Sequence, residues 1–310
     1  MAYLGIDTSN YTTSTAIYIP ETNLIIQEKK LLPVKKGEKG LRQSDAVFHH
    51  TQQLPQLFTS LMSSCGEKIN AVGVSTRPRN IEGSYMPCFT VGKCVAECIA
   101  AAENVSVYPF SHQQGHIVAA LYSADKLELI NEPFIAFHVS GGTTEALLVR
   151  PDSEDIIKCE IFASSSDLKA GQAVDRVGLM MGLSFPCGIE LDALAQTSEK
   201  SYKPKITLKD GNCSLSGLEN KCDKMLKSGE THEDTAKFCI DYISATLEKM
   251  TEYAIEKYGD LPIVFSGGVM SNSIIQERFS KKFGAYFAES RFSSDNAAGT
   301  AVLAYLKERK

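Results

Sequence analysis

A Cys-x-x-Cys pair is missing from the 310 residues, although nine cysteines are present. An odd number of cysteines scattered through apolar strand and helix patterns, Cys94, Cys98 and Cys239 among them, argues against a cysteine zinc cluster and for buried, reduced thiols. Long apolar runs are missing too, and Met1 to Asp7 enters a strand pattern at once with no charged n-region or signal core. The expectation is a cytoplasmic protein with no membrane partner. Positive charge is in short supply: a net charge of -5 gives no global attraction to nucleic acid, so such a partner must meet a local patch. No Ser-His-Asp or Cys-His protease constellation is visible either.

What is present is ordinary for a globular chain, with 43% hydrophobic and 22% charged residues. At 310 residues it exceeds the size at which one core keeps growing, so two domains or two halves are expected. Tyr3 to Asp7, Ser14 to Ile19 and Leu24 to Leu32 read as a three-strand meander, whose first turn, Asp7 to Thr13, is either a phosphate-wrapping loop or a plain polar hairpin. A helix capped at Ser44-Asp45 follows, with His49 and His50 on its flank, then a strand over Ile69 to Ser75, a helix over Val91 to Glu103 and a strand over Val105 to Tyr108. Near residue 130 the pattern restarts: Phe134 to Ser140, Glu145 to Arg150 and Ile156 to Ala163 form a second meander around the hairpin Ser140-Gly141-Gly142-Thr143-Thr144. Two halves that open alike predict an internal duplication with both hairpins facing one cleft.

Chemistry-bearing residues concentrate in a few places. His112 and His116 stand four apart, which on a helix stacks both imidazoles on one face, as half of a metal site or as a solvated face. Asp175 and Asp192 are either site carboxylates or exposed helix residues. Gly267-Gly268 follows the strand Pro262 to Phe265 and opens a helix, a geometry suited to a nucleotide, and Asp295 begins a small-residue helix near the end of the sequence. A long amphipathic helix spans roughly Glu233 to Lys257, and the stretch from Ser201 to Gly217 reads as loop.

Taken in order, Leu4 to Ser9, the His-x-x-x-His pair, Val139 to Thr144, Ala170 to Asp175, Ser214 to Leu218, Ser266 to Val269 with Asn272, and Asp295-Asn296 form a set that resembles the tRNA threonylcarbamoyladenosine transferase family, formerly named O-sialoglycoprotein endopeptidase. The resemblance runs essentially end to end. It implies an α/β class and a duplicated actin, sugar-kinase and heat-shock-chaperone ATPase-like fold, two lobes around a nucleotide and metal cleft, with residues 1–131 plus 290–310 in one and 132–289 in the other. It implies that His112, His116 and Asp295 hold one divalent metal, iron or zinc, since imidazole and carboxylate suit both. It also implies that His138, Val139, Ser140, Gly141, Gly142, Asp175, Gly188 and Asn272 bind an adenine nucleotide or threonylcarbamoyl-adenylate, and Asp192 falls on a nucleotide-contacting position of many relatives.

The implied reaction is metal-dependent transfer of threonylcarbamoyl to the N6 amine of an adenosine in tRNA, with accessory proteins of the threonylcarbamoylation system and a paralogous dimer partner as candidate associates. Three departures mark a divergent paralogue: Thr12 stands where relatives commonly have glutamate, Thr143 where they have the histidine after Gly-Gly, and Thr76 to Ile81 where they have a Gly-Pro-Gly-rich loop, leaving the catalytic residues unassigned. A nucleotide-binding scaffold without turnover and a small-molecule carbamoyltransferase are the alternatives. For an RNA acceptor, Arg77 and Arg79, joined by Lys35, Lys36 and Lys39, are the basic residues expected to form the patch.

Overall fold

The structure is a computed structural model that describes residues 1–9, 11–33, 41–292 and 297–310. Asp295, Lys35, Lys36 and Lys39 lie outside the described residues. The chain folds as two compact units: Met1–Ile130, Pro151–Cys159 and Arg291–Lys310 form the first, Asn131–Arg150 and Glu160–Ser290 the second.

In the first unit, β1 (Ala2–Asp7), β2 (Thr12–Ile19) and β3 (Leu24–Leu31) make an antiparallel meander. β1 then pairs in parallel with β4 (Ile69–Arg77), and β4 with β5 (Ser106–Ser111). Every residue of β1 is buried, as a central strand covered on both faces requires. Leu4 and Ile6 enter one core with Leu54 and Leu61 of α1 (Gln43–Ser63) and Ala96 of α2 (Phe89–Glu103). The alternating residue, Gly5, turns instead toward α9 (Ala297–Glu308), which also packs against α3 (His112–Ser123). That helix pair touches backbone to backbone: a Cβ on Gly299 would lie 1.9 Å from the Gly115 carbonyl oxygen, so only glycine permits the approach.

The second unit repeats the topology. β6 (Phe134–Val139), β7 (Thr144–Asp152) and β8 (Ile156–Ser164) form the meander, and β6 pairs in parallel with β9 (Ile263–Ser266), which pairs with β10 (Tyr286–Phe287). The strand orders are β3-β2-β1-β4-β5 and β8-β7-β6-β9-β10, one arrangement used twice, as the repeated meander predicts. Ile135, Phe137 and Val139 face a core built with α4 (Ala170–Met180), α5 (Gly188–Thr197), α6 (Ser216–Lys227), α7 (His232–Tyr258) and α8 (Ser273–Phe283).

Some local expectations change. His50 is buried rather than on a flank, because its face of α1 is the one that carries Leu54, Leu57 and Leu61 into the core. Cys94 and Cys98 are exposed on the outer face of α2, while Cys239 is buried; all nine cysteines are free. Among the described residues no helix is long and apolar enough to cross a membrane.

Candidate functional site

The dihistidine helix is fixed before its first turn. Ser111 caps α3: its Oγ accepts from the Gln114 amide at 3.2 Å, and Gln114 Oε1 accepts from the Ser111 amide at 2.8 Å, a reciprocal capping box. Gln114 Nε2 then donates to the carbonyls of Asp155 (2.9 Å) and Ile157 (3.0 Å), tying the helix start to the segment that leads into β8. On this anchored turn the rings of His112 and His116 stand 4.6 Å apart between centroids, one above the other as the spacing predicts.

Behind His112 lies a residue that spacing does not reveal. Asp7, the last residue of β1, is fully buried, and its Oδ2 is 2.9 Å from His112 Nδ1. Burial opposes ionisation of this carboxyl, but the His112 charge and hydrogen bond, with those of Ser75 and Ser9, outweigh it and hold the pKa down at about 2. An ionised Asp7 only accepts, so His112 Nδ1 carries the hydrogen and Nε2 is the nitrogen able to coordinate. Two imidazoles with one buttressed by a carboxylate fit a divalent ion's donor set. Among the described residues no group of three or more His, Cys, Asp or Glu is assembled, and Asp295 lies outside them.

The first hairpin spends its hydroxyls internally. Thr8 Oγ1 donates to the Cys88 carbonyl (2.9 Å) and accepts from the Gly92 amide (3.1 Å) at the start of α2. Thr13 Oγ1 donates to Gln53 Oε1 at 2.7 Å and meets His50 Nδ1 at 2.8 Å. Thr12 remains half-buried at the head of β2. The nearby loop after β4 joins the dihistidine helix through the Gln113 amide, which donates to the Pro78 carbonyl at 3.1 Å. In that loop Arg77 directs Nε and Nη2 to Asn80 Oδ1, at 3.0 and 2.7 Å.

In the second unit, a cavity of about 460 Å³ gathers Gly141, Asp175, Gly188, Asp192 and Asn272 from four separate stretches of chain. The glycine hairpin is held by Ser140, whose Oγ accepts from the amides of Gly142 (3.3 Å) and Thr143 (3.1 Å). Those two amides are therefore occupied, and Gly141 is the hairpin residue that lines the cavity. α4 begins directly against it: Gly171 donates to the Ser140 carbonyl at 3.1 Å, and a Cβ there would lie 2.5 Å from the Gly141 nitrogen. Val139 is fully buried in the core, so only its backbone can serve a ligand. His138 is half-buried on the opposite face of β6.

Both cavity carboxylates also hold their surroundings. Asp175 Oδ1 accepts from the Cys187 amide at 2.9 Å, fixing the loop that ends in Gly188. Asp192 Oδ1 accepts from Asn272 Nδ2 at 2.7 Å, while Asn272 Oδ1 caps α8 by accepting from the Ile275 amide at 3.0 Å. Val174, Pro186, Ile189 and Val269 supply apolar walls. The Ser214-Leu215-Ser216 stretch is anchored by Asp167. Burial opposes ionisation of that carboxyl, and hydrogen bonds from Ser214, Ser216 and the amides of Leu215 and Leu168 more than reverse the effect. Neither Asp7 nor Asp167 stands out in the sequence as a site residue; a carboxylate at a strand end before Thr-Ser, or before a capped turn, is the one signal either offers.

Comparison with known proteins gives these features a family. The model of the tRNA N6-adenosine threonylcarbamoyltransferase family matches residues 25–302. Among curated relatives, the tRNA N6-adenosine threonylcarbamoyltransferase of Brachyspira hyodysenteriae is 31% identical over 323 residues, covering 98% of this chain and 91% of its own. That of Buchnera aphidicola subsp. Schizaphis graminum is 28% identical over 331 residues, covering 100% and 94%. Solved structures of similar fold include T. kodakarensis HypF, with a TM-score of 0.64 at 10% identity over 99% of this chain and 47% of that one. Another is the activator of 2-hydroxyisocaproyl-CoA dehydratase from Clostridium difficile, with a TM-score of 0.54 at 13% identity over 100% and 95%. At such identities these structures establish the fold alone, that of the actin and sugar-kinase-like ATPases. The family match spans nearly the whole sequence, and the chain belongs to the tRNA N6-adenosine threonylcarbamoyltransferase family, a family of tRNA-modifying acyl transferases.

Proposed function

We propose that this chain transfers a threonylcarbamoyl group from threonylcarbamoyl-adenylate to the N6 amine of an adenosine in tRNA, with one divalent metal, iron or zinc. The observation that carries the reading is the second unit's cavity, where a glycine hairpin, two carboxylates and an amide converge between apolar walls. Apolar walls with a few convergent polar groups suit a nucleoside. Gly141, without a side chain, lets backbone approach a phosphate, and Asp175 and Asp192 retain acceptor capacity for ribose hydroxyls or the threonyl amine. Ser140 keeps the hairpin in one shape by holding the amides of Gly142 and Thr143.

His112 and His116, with Asp295 as the third ligand, would hold the metal. The chemistry such an ion supplies when bound is polarisation of the carbamoyl carbonyl and stabilisation of charge that develops on attack. Asp7 orients the His112 ring and keeps its Nδ1 protonated. Accessory proteins of the threonylcarbamoylation system and a paralogous dimer partner belong to the same reading.

Thr12 and Thr143 favour a second reading, a nucleotide-binding scaffold without turnover. The test is transfer to transcript tRNA from threonylcarbamoyl-adenylate, with and without the accessory proteins, read by mass spectrometry of digested nucleosides. Modified adenosine is expected. Tight donor binding with no modified adenosine would favour the scaffold, and turnover of carbamoyl-adenylate without tRNA a small-molecule carbamoyltransferase.

A further inference from the structure

The stretch between α5 and α6 alternates with a period of two although it belongs to neither sheet. Tyr202, Ile206 and Leu208 are half-buried, the last two against the second unit's core, while Lys203, Lys205, Thr207 and Lys209 are exposed. Both ends are pinned. The Tyr202 amide donates to Asp241 Oδ2 at 2.9 Å, and its ring stands edge-on to Phe238, 5.3 Å between centroids. At the other end Lys209 and Asn212 exchange backbone hydrogen bonds of 2.9 Å around Asp210 and Gly211, both at positive φ. A Cβ on Gly211 would lie 2.4 Å from the Tyr253 ring, so this turn sits hard against α7. The segment thus follows α7 from Phe238 to Tyr253, and among the described residues the backbone of residues 203–208 has no hydrogen-bond partner. Lysine guards such an open edge against pairing with another chain. Here its charge is also unengaged. No carboxylate occurs from Lys200 to Lys209. Lys200 is held by Glu230 and Asp234 at 2.7 and 2.8 Å, whereas the ammonium groups of Lys203, Lys205 and Lys209 meet no acceptor among the described residues. Extended backbone sets the three Cα atoms roughly 6–7 and 12–14 Å apart along one side.

We propose that Lys203, Lys205 and Lys209 form a phosphate rail on the second unit that holds the sugar-phosphate backbone of the acceptor tRNA. The proposal rests on the tRNA-transfer reading above. In a chain of net charge -5, a polyanion needs a local line of unpaired positive charge, and this stretch supplies one already fixed in place, so little ordering is lost on binding. The Thr207 hydroxyl and the open amides add donors for phosphate oxygens. The rail leads off from α5, whose Asp192 and Gln196 line the cavity, so it keeps the RNA on the unit that receives the donor. Contacts of this kind position the RNA without reading its sequence.

The test combines Lys203→Glu, Lys205→Glu and Lys209→Glu and measures binding of transcript tRNA by the full chain across a salt series. Affinity should fall about 10- to 100-fold and the slope of log affinity against log salt become shallower by about two to three, by the same factor for an unrelated tRNA transcript. Threonylcarbamoyl-adenylate affinity and Tm should stay at wild-type values, and Lys→Arg at the same three positions should bind tRNA like wild type. The same reversal at Lys227, Lys249 and Lys281, exposed and ion-paired lysines of this unit, controls for net charge and should cost far less. Unchanged affinity and slope in the rail variant would overturn the proposal, as would an equal loss in the control. If the reversal spares tRNA binding but abolishes capture of the accessory proteins, the occupant is an acidic protein and the RNA rail falls. Wild type that binds donor but no tRNA at any salt would sink the transfer reading and the rail together; wild type and rail variant that bind and modify tRNA equally well would remove the rail alone.

Discussion

His50 sits on α1 with no exposed surface, and burial pushes its pKa down from 6.5 to about 4, against the opposing pull of Asp7 and Ser9. Between those values the unfolded chain binds a proton that the folded chain refuses. Stability is therefore complete above pH 6.5 and declines toward pH 4, by about 3 kcal/mol over the whole window. Chemical denaturation across that range should show the decline in wild type and a flatter profile in His50→Asn; equal slopes would refute it. Asp7 gives a second expectation: Asp7→Ala should lower metal affinity about 10- to 100-fold while the chain still folds, because His112 loses the acceptor that fixes its ring. Metal titration checks this, and wild-type affinity in the variant would remove Asp7 from the site. His112 and His116 are legible in sequence because a helix converts a spacing of four into proximity. The partner of His112 is not, since Asp7 arrives 105 positions earlier through the register of a sheet. His50 misleads for a related reason: adjacent to His49, it differs from it only by the roughly 100° step per helical residue that turns one ring inward.

At the level of elements, the second unit's cavity depends on α4 and α8 meeting loops at close range. Gly171→Ala places a methyl 2.5 Å from the Gly141 nitrogen, so the hairpin must shift; donor affinity should fall at least tenfold and stability by about 1–3 kcal/mol. Unchanged donor affinity by calorimetry would dissociate the hairpin from binding. The central strands are readable as short apolar runs and the hairpins from Gly-Gly, Pro-Glu-Thr-Asn and Thr-Ser. α6 carries a stripe, Leu218, Cys222 and Leu226 at intervals of four, that the loop-like stretch before it obscures. The unbroken α1 is legible from Leu54, Leu57 and Leu61 on one face even across Pro55: proline costs a helix about 3 kcal/mol in isolation, and burial of those leucines outweighs it.

For the whole molecule, net charge of -5 means that tRNA has to be bound against the global field. Arg77 and Arg79 are half-buried, and the Arg77 guanidinium is already turned toward Asn80, which makes it a preset fork rather than a waving side chain. Reversing both to glutamate should weaken tRNA binding and make the slope of log affinity against log salt shallower by about two, with donor affinity kept. An unaltered slope in filter binding would place the acceptor surface elsewhere. The duplication is legible because the same strand-hairpin-strand opening occurs twice; how the first unit is assembled is not. Its dihistidine helix packs on α9, and between the two in sequence lies almost all of the second unit. During synthesis the second unit's segments are therefore complete before the first can close. α3 waits with its Gly115 face uncovered until Gly299 emerges, so a ribosome-bound chain should gain its nucleotide cavity early and its metal-binding competence only as α9 is released.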